Sequence, residues 1–168
     1  MVLPSSSAAQ QDMSAATAAI SAAAFASTVA ITPTGADIGM AAAQTEAAVN
    51  GWDVTICICD AGGTPIQVKR TLNAFPASYD IAVGNAKSAA LFRKETGNLE
   101  DAVNVSQGKS RASLLSSPFV LMRGGVPLIM DDGTCCGAVG VSGVQADQDE
   151  QVARVAVDAM RNMFVSKL

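Results

Sequence analysis

Few side chains in this chain can do chemistry, and their types narrow the choices at once. The 168 residues contain no histidine. That removes Ser-His-Asp triads, Cys-His dyads and histidine metal ligands. Proton transfer must fall to Asp, Glu, Lys, Tyr or Cys, and Lys87, Tyr79 and Glu95 are the candidates. Arg123 precedes Gly124-Gly125 and Pro127. That order sets a fixed cation beside a turn whose backbone N–H groups are free to meet an anion. The four cysteines, Cys57, Cys59, Cys135 and Cys136, read as C-x-C plus C-C. Neither is the usual C-x2-C zinc spacing. They read as small buried hydrophobes, so no metal site is expected. Free thiols point to a reducing, cytoplasmic compartment.

The elements that position these groups follow from pattern. Residues 1–33 are an Ala/Ser/Thr-rich, nearly uncharged extension, in which 14–26 has the propensity for a helix. The extension lacks the basic start of a secretory signal, and its alanines are too weakly apolar for a membrane span. One domain is expected over 34–168. A helix is predicted over 34–50, capped by Thr34 and stopped by Asn50-Gly51, with a stripe of Ile38, Ala41, Ala42, Thr45, Ala48 and Val49. A strand over 52–59 is apolar or small on both faces and so central. Asp60 opens the turn to a partner strand over 64–70, a structural role for its carboxylate.

Ser78 is expected to cap a second helix running to about Lys94. Residues 97–117 form a polar loop with a short helical piece at 99–103, and 119–122 a short strand. A hairpin follows, with strands 126–130 and 134–142 around the Asp131-Asp132-Gly133 turn. Alternation puts Cys135, Gly137, Val139 and Val141 on one face and Cys136, Ala138, Gly140 and Ser142 on the other. Two glycines within that strand, Gly137 and Gly140, imply close approach by a helix, a backbone or a ligand. The last helix spans 147–164, with Asp147 and Glu150 at capping-box spacing. Its buried stripe is Val152, Val155, Ala156, Ala159 and Met163, and Asp149, Gln151, Arg154, Asp158 and Arg161 form a wet face. Antiparallel strands separated by helices make the fold class α+β.

Several of these stretches, in order, resemble the GlcG/HbpS family of small haem-binding-type proteins, whose domain also ends PduO-type proteins. They are the NGWDVTICICDAGGTPI hairpin, AVGNAKSAA with Lys87 at the family's lysine position, RKET from Arg93 to Thr96, and RGGVP followed by GAVGVSG. Arg70 matches the family's R-x-D element, whose acidic residue is missing here. The resemblance covers about 34–163. It implies an antiparallel sheet flanked by helices in a profilin-like sandwich, a homo-oligomer, and a site drawing on Arg70, Lys87, Arg93, Thr96, Arg123, Gly124 and Gly125.

Three functions remain open at this point. One is binding of haem or another flat anionic small molecule, accessory to a small-molecule metabolic pathway. Tyr79, a cysteine, a methionine or Thr96 would then face the iron. The second is a metal-independent isomerase, cyclase or hydrolase that uses Lys87, Tyr79 or Glu95 for acid–base chemistry. The third is a structural oligomer without chemistry. With a net charge of −4, nucleic acid is not an expected partner.

Overall fold

The computed structural model describes residues 13–14, 29–104 and 111–165. The helix expected over 14–26 lies, but for Ser14, outside the described residues. The packed elements are α1 (Pro33–Asn50), β1 (Thr55–Asp60), β2 (Pro65–Arg70), α2 (Ser78–Phe92), α3 (Thr96–Asn104), β3 (Gly125–Ile129), β4 (Cys135–Ser142) and α4 (Ala146–Val165). A 3-10 turn, Ala112–Ser116, precedes β3. The sheet is antiparallel in the order β2-β1-β4-β3. The α+β expectation holds, and β1 is central as its two apolar faces require.

The two sheet faces take different partners. Val54, Ile56, Ile58, Val126, Leu128, Cys136, Val139 and Val141 meet the small and apolar faces of α1 and α4. On the opposite face Cys57, Cys59 and Ala138 meet Ala82, Ala86, Ala89 and Ala90 of α2. Every side chain in that second layer is small, so the helix backbone comes very near the sheet. A Cβ at Gly140 would collide with the Ala82 carbonyl and the Ala86 nitrogen.

Several local expectations change. The cap of α1 is Thr32, whose Oγ1 accepts from the Gly35 amide at 3.1 Å, not Thr34. Its buried face is Ala36, Gly39, Met40, Ala43 and Ala47, while Val49 is 79 % exposed. The smaller face wins because Gly39 lets the Met160 side chain of α4 pack directly against the α1 backbone. β1 begins at Thr55 rather than Trp52. Ser78 does not cap α2. Its hydroxyl pairs with Thr55 Oγ1 at 2.7 Å, and Arg93 in the left-handed conformation ends the helix at Phe92.

No strand forms over 119–122. Phe119 and Leu121 pack instead with Phe92, Leu99, Val103 and Leu114 as a satellite core, so apolar contact rather than strand pairing sets this segment. A β-bulge at Cys136 shifts the β3–β4 register and reverses the expected cysteine faces. Cys136 joins Val139 and Val141 in the main core, and Cys135 turns toward Ala90 of α2. In α4 the buried set is Val152, Ala153, Ala156, Val157 and Met160, and Met163 is 46 % exposed.

Gly140→Ala is expected to lower stability by about 3 kcal/mol, because backbone rather than a movable side chain blocks the new methyl. Gly35→Ala, whose Cβ would sit 3.6 Å from its nearest neighbours, should change stability by less than about 1 kcal/mol. Urea unfolding midpoints compare the two. Similar midpoints would mean that the α2 layer yields.

Candidate functional site

At the start of β3 the chain assembles a polar cluster. Thr96 is fully buried, and its Oγ1 accepts from the Gly125 amide at 2.8 Å. The Gly125 N–H expected to be free is therefore taken by the protein. The Gly124 carbonyl accepts from the Val141 amide at 2.9 Å. Gly124 has φ +128°, and a Cβ there would lie 2.7 Å from Asn85 Nδ2 and 3.3 Å from the Asp149 Cβ. Only glycine lets these two side chains converge there.

Arg123 is not an unpaired cation. Its guanidinium meets Glu150 at 3.0 Å and Asp101 at 3.7 Å, and its amide donates to Glu100 at 2.6 Å. Arg154 continues the chain of charge, bonding Glu150 at 2.7 Å and both oxygens of Glu95 at 2.7 and 3.0 Å. The Arg154 hydrogen bonds hold the Glu95 carboxyl below its usual range, which weakens it as a base.

Two residues of this cluster were missed in the sequence. Asn85 is fully buried on the α2 face, donates to the Val141 carbonyl at 3.1 Å, and leaves its Oδ1 without a partner among the described residues. Its inward position, three residues after Ala82, was the available signal. Asp149, expected on the wet face, is 5 % exposed and accepts from the Val144 amide at 3.2 Å. Burial pushes its carboxyl up to about 6.

The other expected site residues lie elsewhere. Tyr79 is half-exposed on the first turn of α2, and Lys87 is about 12 Å further along that helix. The Lys87 stem packs against Gly63 in the β1–β2 turn. Tyr79, Lys87 and Glu95 therefore do not meet within one chain. Arg70 ends the edge strand β2.

Arg93 lines a cleft of about 530 Å³ between the β1–β2 and β3–β4 turns, with Asp60, Asp132, Thr134 and Cys135. Asp60 Oδ1 accepts from the Gly62 and Thr64 amides, both at 2.9 Å, so its structural role is as expected. Asp132 Oδ1 accepts from the Thr134 amide at 2.8 Å. Cys135 is 9 % exposed. Cys57 and Cys59 are fully buried, and burial pushes both thiols up to about 12. All four cysteines are free.

Residues 31–158 match the family model described as haem degrading protein HbpS-like. The chain belongs to the HbpS-like family. The GlcG protein of Escherichia coli K12 is 39 % identical over 104 residues, 61 % of this chain and 74 % of that protein. The Klebsiella pneumoniae protein ORFY superposes with a TM-score of 0.74 at 29 % identity, over 81 % of this chain and 94 % of that one. A structure described as a PduOC:heme complex gives 0.68 at 28 % identity, over 78 % and 95 %. The HbpS-like fold therefore accounts for nearly all the described residues. Among them, no helix is long and apolar enough to cross a membrane, and no group of three acidic or cysteine side chains is poised to hold a metal.

Two expected outcomes follow for the HbpS-like polar cluster. Arg123→Ala should cost about 2 kcal/mol, since it strips Glu150 and the Asp101 end of α3 of a partly buried cation. Asp149 binds its proton more tightly when folded. Its contribution is therefore greatest at low pH and is lost as pH rises from about 4 to 6. The change from 3.8 to about 6 amounts to roughly 3 kcal/mol at about 1.36 kcal/mol per pH unit. Asp149→Asn, which keeps an acceptor for Val144, should raise neutral-pH stability and flatten that slope in unfolding curves taken across the range. A retained slope would assign it to another group.

Proposed function

We propose that this HbpS-like chain is a small-molecule-binding protein whose ligand is haem or a similarly flat, carboxylate-bearing molecule. The observation that carries the reading is the convergence of Arg93 and Cys135 on the cleft between the two hairpin turns. A guanidinium suits a propionate through paired N–H donors. Cys135 lines the cleft with its thiol donating to the Ala90 carbonyl at 3.7 Å, and a cysteine sulfur turned out of that contact is a haem-iron ligand type that a chain without histidine still possesses. The donor set thus fits the group.

Neighbouring residues shape the orientation. Val29 and Ala30 give the cleft an apolar edge. Lys87, packed on Gly63, offers a second cation near the same turn. Asp60 and Asp132 are held by turn amides and repel carboxylates, which leaves the Arg93 side for the propionates. When bound, haem supplies redox chemistry, and the chain's own task is to grip the carboxylates and shield one ring face. Thr96, Arg123, Gly124 and Gly125 do not line this cleft. Family membership and the likeness to a haem complex make the tetrapyrrole the first ligand to try.

The test uses tag-free protein, because a polyhistidine tail would supply the missing ligand. Haemin and iron-free protoporphyrin are titrated against wild type, Arg93→Ala and Cys135→Ala, with the visible spectrum as readout. Arg93→Ala should weaken both ligands about tenfold, the equivalent of about 1.4 kcal/mol. Cys135→Ala should remove the preference for haemin and its sulfur-type bands while leaving protoporphyrin affinity in place. A titration that never saturates, or one that neither substitution alters, rejects the site.

A further inference from the structure

The contact between α1 and the edge strand β2 is a ladder of polar rungs, and its third rung is incomplete. Gln67 Nε2 donates to Asp37 at 3.2 Å, and Lys69 Nζ donates to Gln44 at 3.2 Å. These pairs advance by two residues on the strand and seven on the helix, which keeps one face of each element in register. The next rung would pair Thr71 with position 51. That position is Gly51, the left-handed cap that ends α1. It has no side chain, and a Cβ there would meet nothing within 4 Å. Thr71 Oγ1 is consequently buried without a hydrogen-bond partner among the described residues.

The missing rung opens a cleft of about 610 Å³, within the size range of small-molecule sites. Its floor is apolar, from Ala47, Val54 and Ile56, and Trp52, the chain's single tryptophan, lines it as a flat wall. Lys69 brings the cation, with two of its three N–H donors unused by Gln44. Arg70 borders the cleft from the strand, but alternation turns its Cβ to the α2 side. Asp53 stands at the rim and disfavours a second negative charge.

From these groups we infer that this cleft is a binding site for a small aromatic monocarboxylate bearing a ring hydroxyl or amino group. The carboxylate pairs with Lys69, the ring lies against Trp52, and the ring substituent satisfies Thr71 Oγ1, completing the rung that Gly51 leaves open. A hydroxyl left buried and unpaired costs about 1–3 kcal/mol, so a ligand that bonds it gains affinity that the free protein forgoes. This cleft shares no lining residue with the hairpin-turn cleft, so either proposal can fail while the other stands.

The sole tryptophan makes binding directly readable. Full-length, tag-free protein is titrated with para-hydroxybenzoate, benzoate and para-hydroxybenzamide while Trp52 emission is followed. Saturable quenching by para-hydroxybenzoate is expected, with benzoate several-fold weaker and the uncharged amide about tenfold weaker or more. Lys69→Met should abolish the preference for the acid over the amide. Thr71→Val should abolish the preference for para-hydroxybenzoate over benzoate. Gly51→Asn, in which asparagine tolerates the left-handed backbone, should fill the rung and block all three ligands with the melting curve kept within a few degrees. No saturable quenching at millimolar ligand, equal binding of acid and amide, or undiminished binding by folded Gly51→Asn would each overturn the assignment.

Discussion

The close approach of α2 to the sheet is the constraint on which most of this molecule depends. The contact is built from alanine, cysteine and glycine, with no large side chain between the two backbones. Gly140 admits the Ala82–Ala86 turn, and Gly125 admits the Asn85 carbonyl. Dispersion and exclusion of water act over a thin, dense layer here, and one added methyl has nowhere to go. The arrangement has a cost in polar satisfaction. Asn85 Oδ1 and Ser88 Oγ are buried without partners among the described residues. In exchange, the C-terminal end of α2 is held at a fixed height over the sheet, and Arg93 and Thr96 are set from there.

The RGG segment shows how one motif can serve the fold and still read as a ligand site. Arg123 links α4 to α3 through Glu150 and Asp101, and Gly124 lets Asn85 and Asp149 both close on its backbone. The Gly125 amide is closed by Thr96. The Arg123 cation and the Gly125 amide, which suggested an anion-binding turn, are both spent internally. The alternation of Glu95, Arg154, Glu150 and Arg123 ties three separate segments with partly buried charge, where the local dielectric strengthens each pair and makes the loss of one member costly.

Both clefts arise where regular elements run out. One lies beyond the two hairpin turns, where β1 and β4, neighbours in the sheet, bring Asp60 and Cys135 to the same end. The other lies where α1 stops at Gly51 while the strand beside it continues. Sheet and helix interiors leave no space for a ligand, because their backbone groups pair with one another and their side chains interlock. Termini release both constraints at once, so chemistry gathers there.

Sequence alone determined the α+β class, the central place of β1, both hairpin turns, the structural duty of Asp60 and the burial of the four cysteines. All of these rest on short-range rules of alternation, turn chemistry and composition. Membership of the HbpS-like family was likewise visible in contiguous motifs. Tertiary structure alone decided which face of an alanine-rich helix turns inward, because alanines on every side give the pattern no contrast. Val49 could be read as core and was found in solvent for that reason. It also decided the cysteine faces, since one bulge residue reverses alternation and leaves no trace in composition. Finally, it decided which charges are free. Arg123 and Arg93 look alike as letters, and only the packing of α3 and α4 determines that the first is enclosed by carboxylates while the second faces an open cleft.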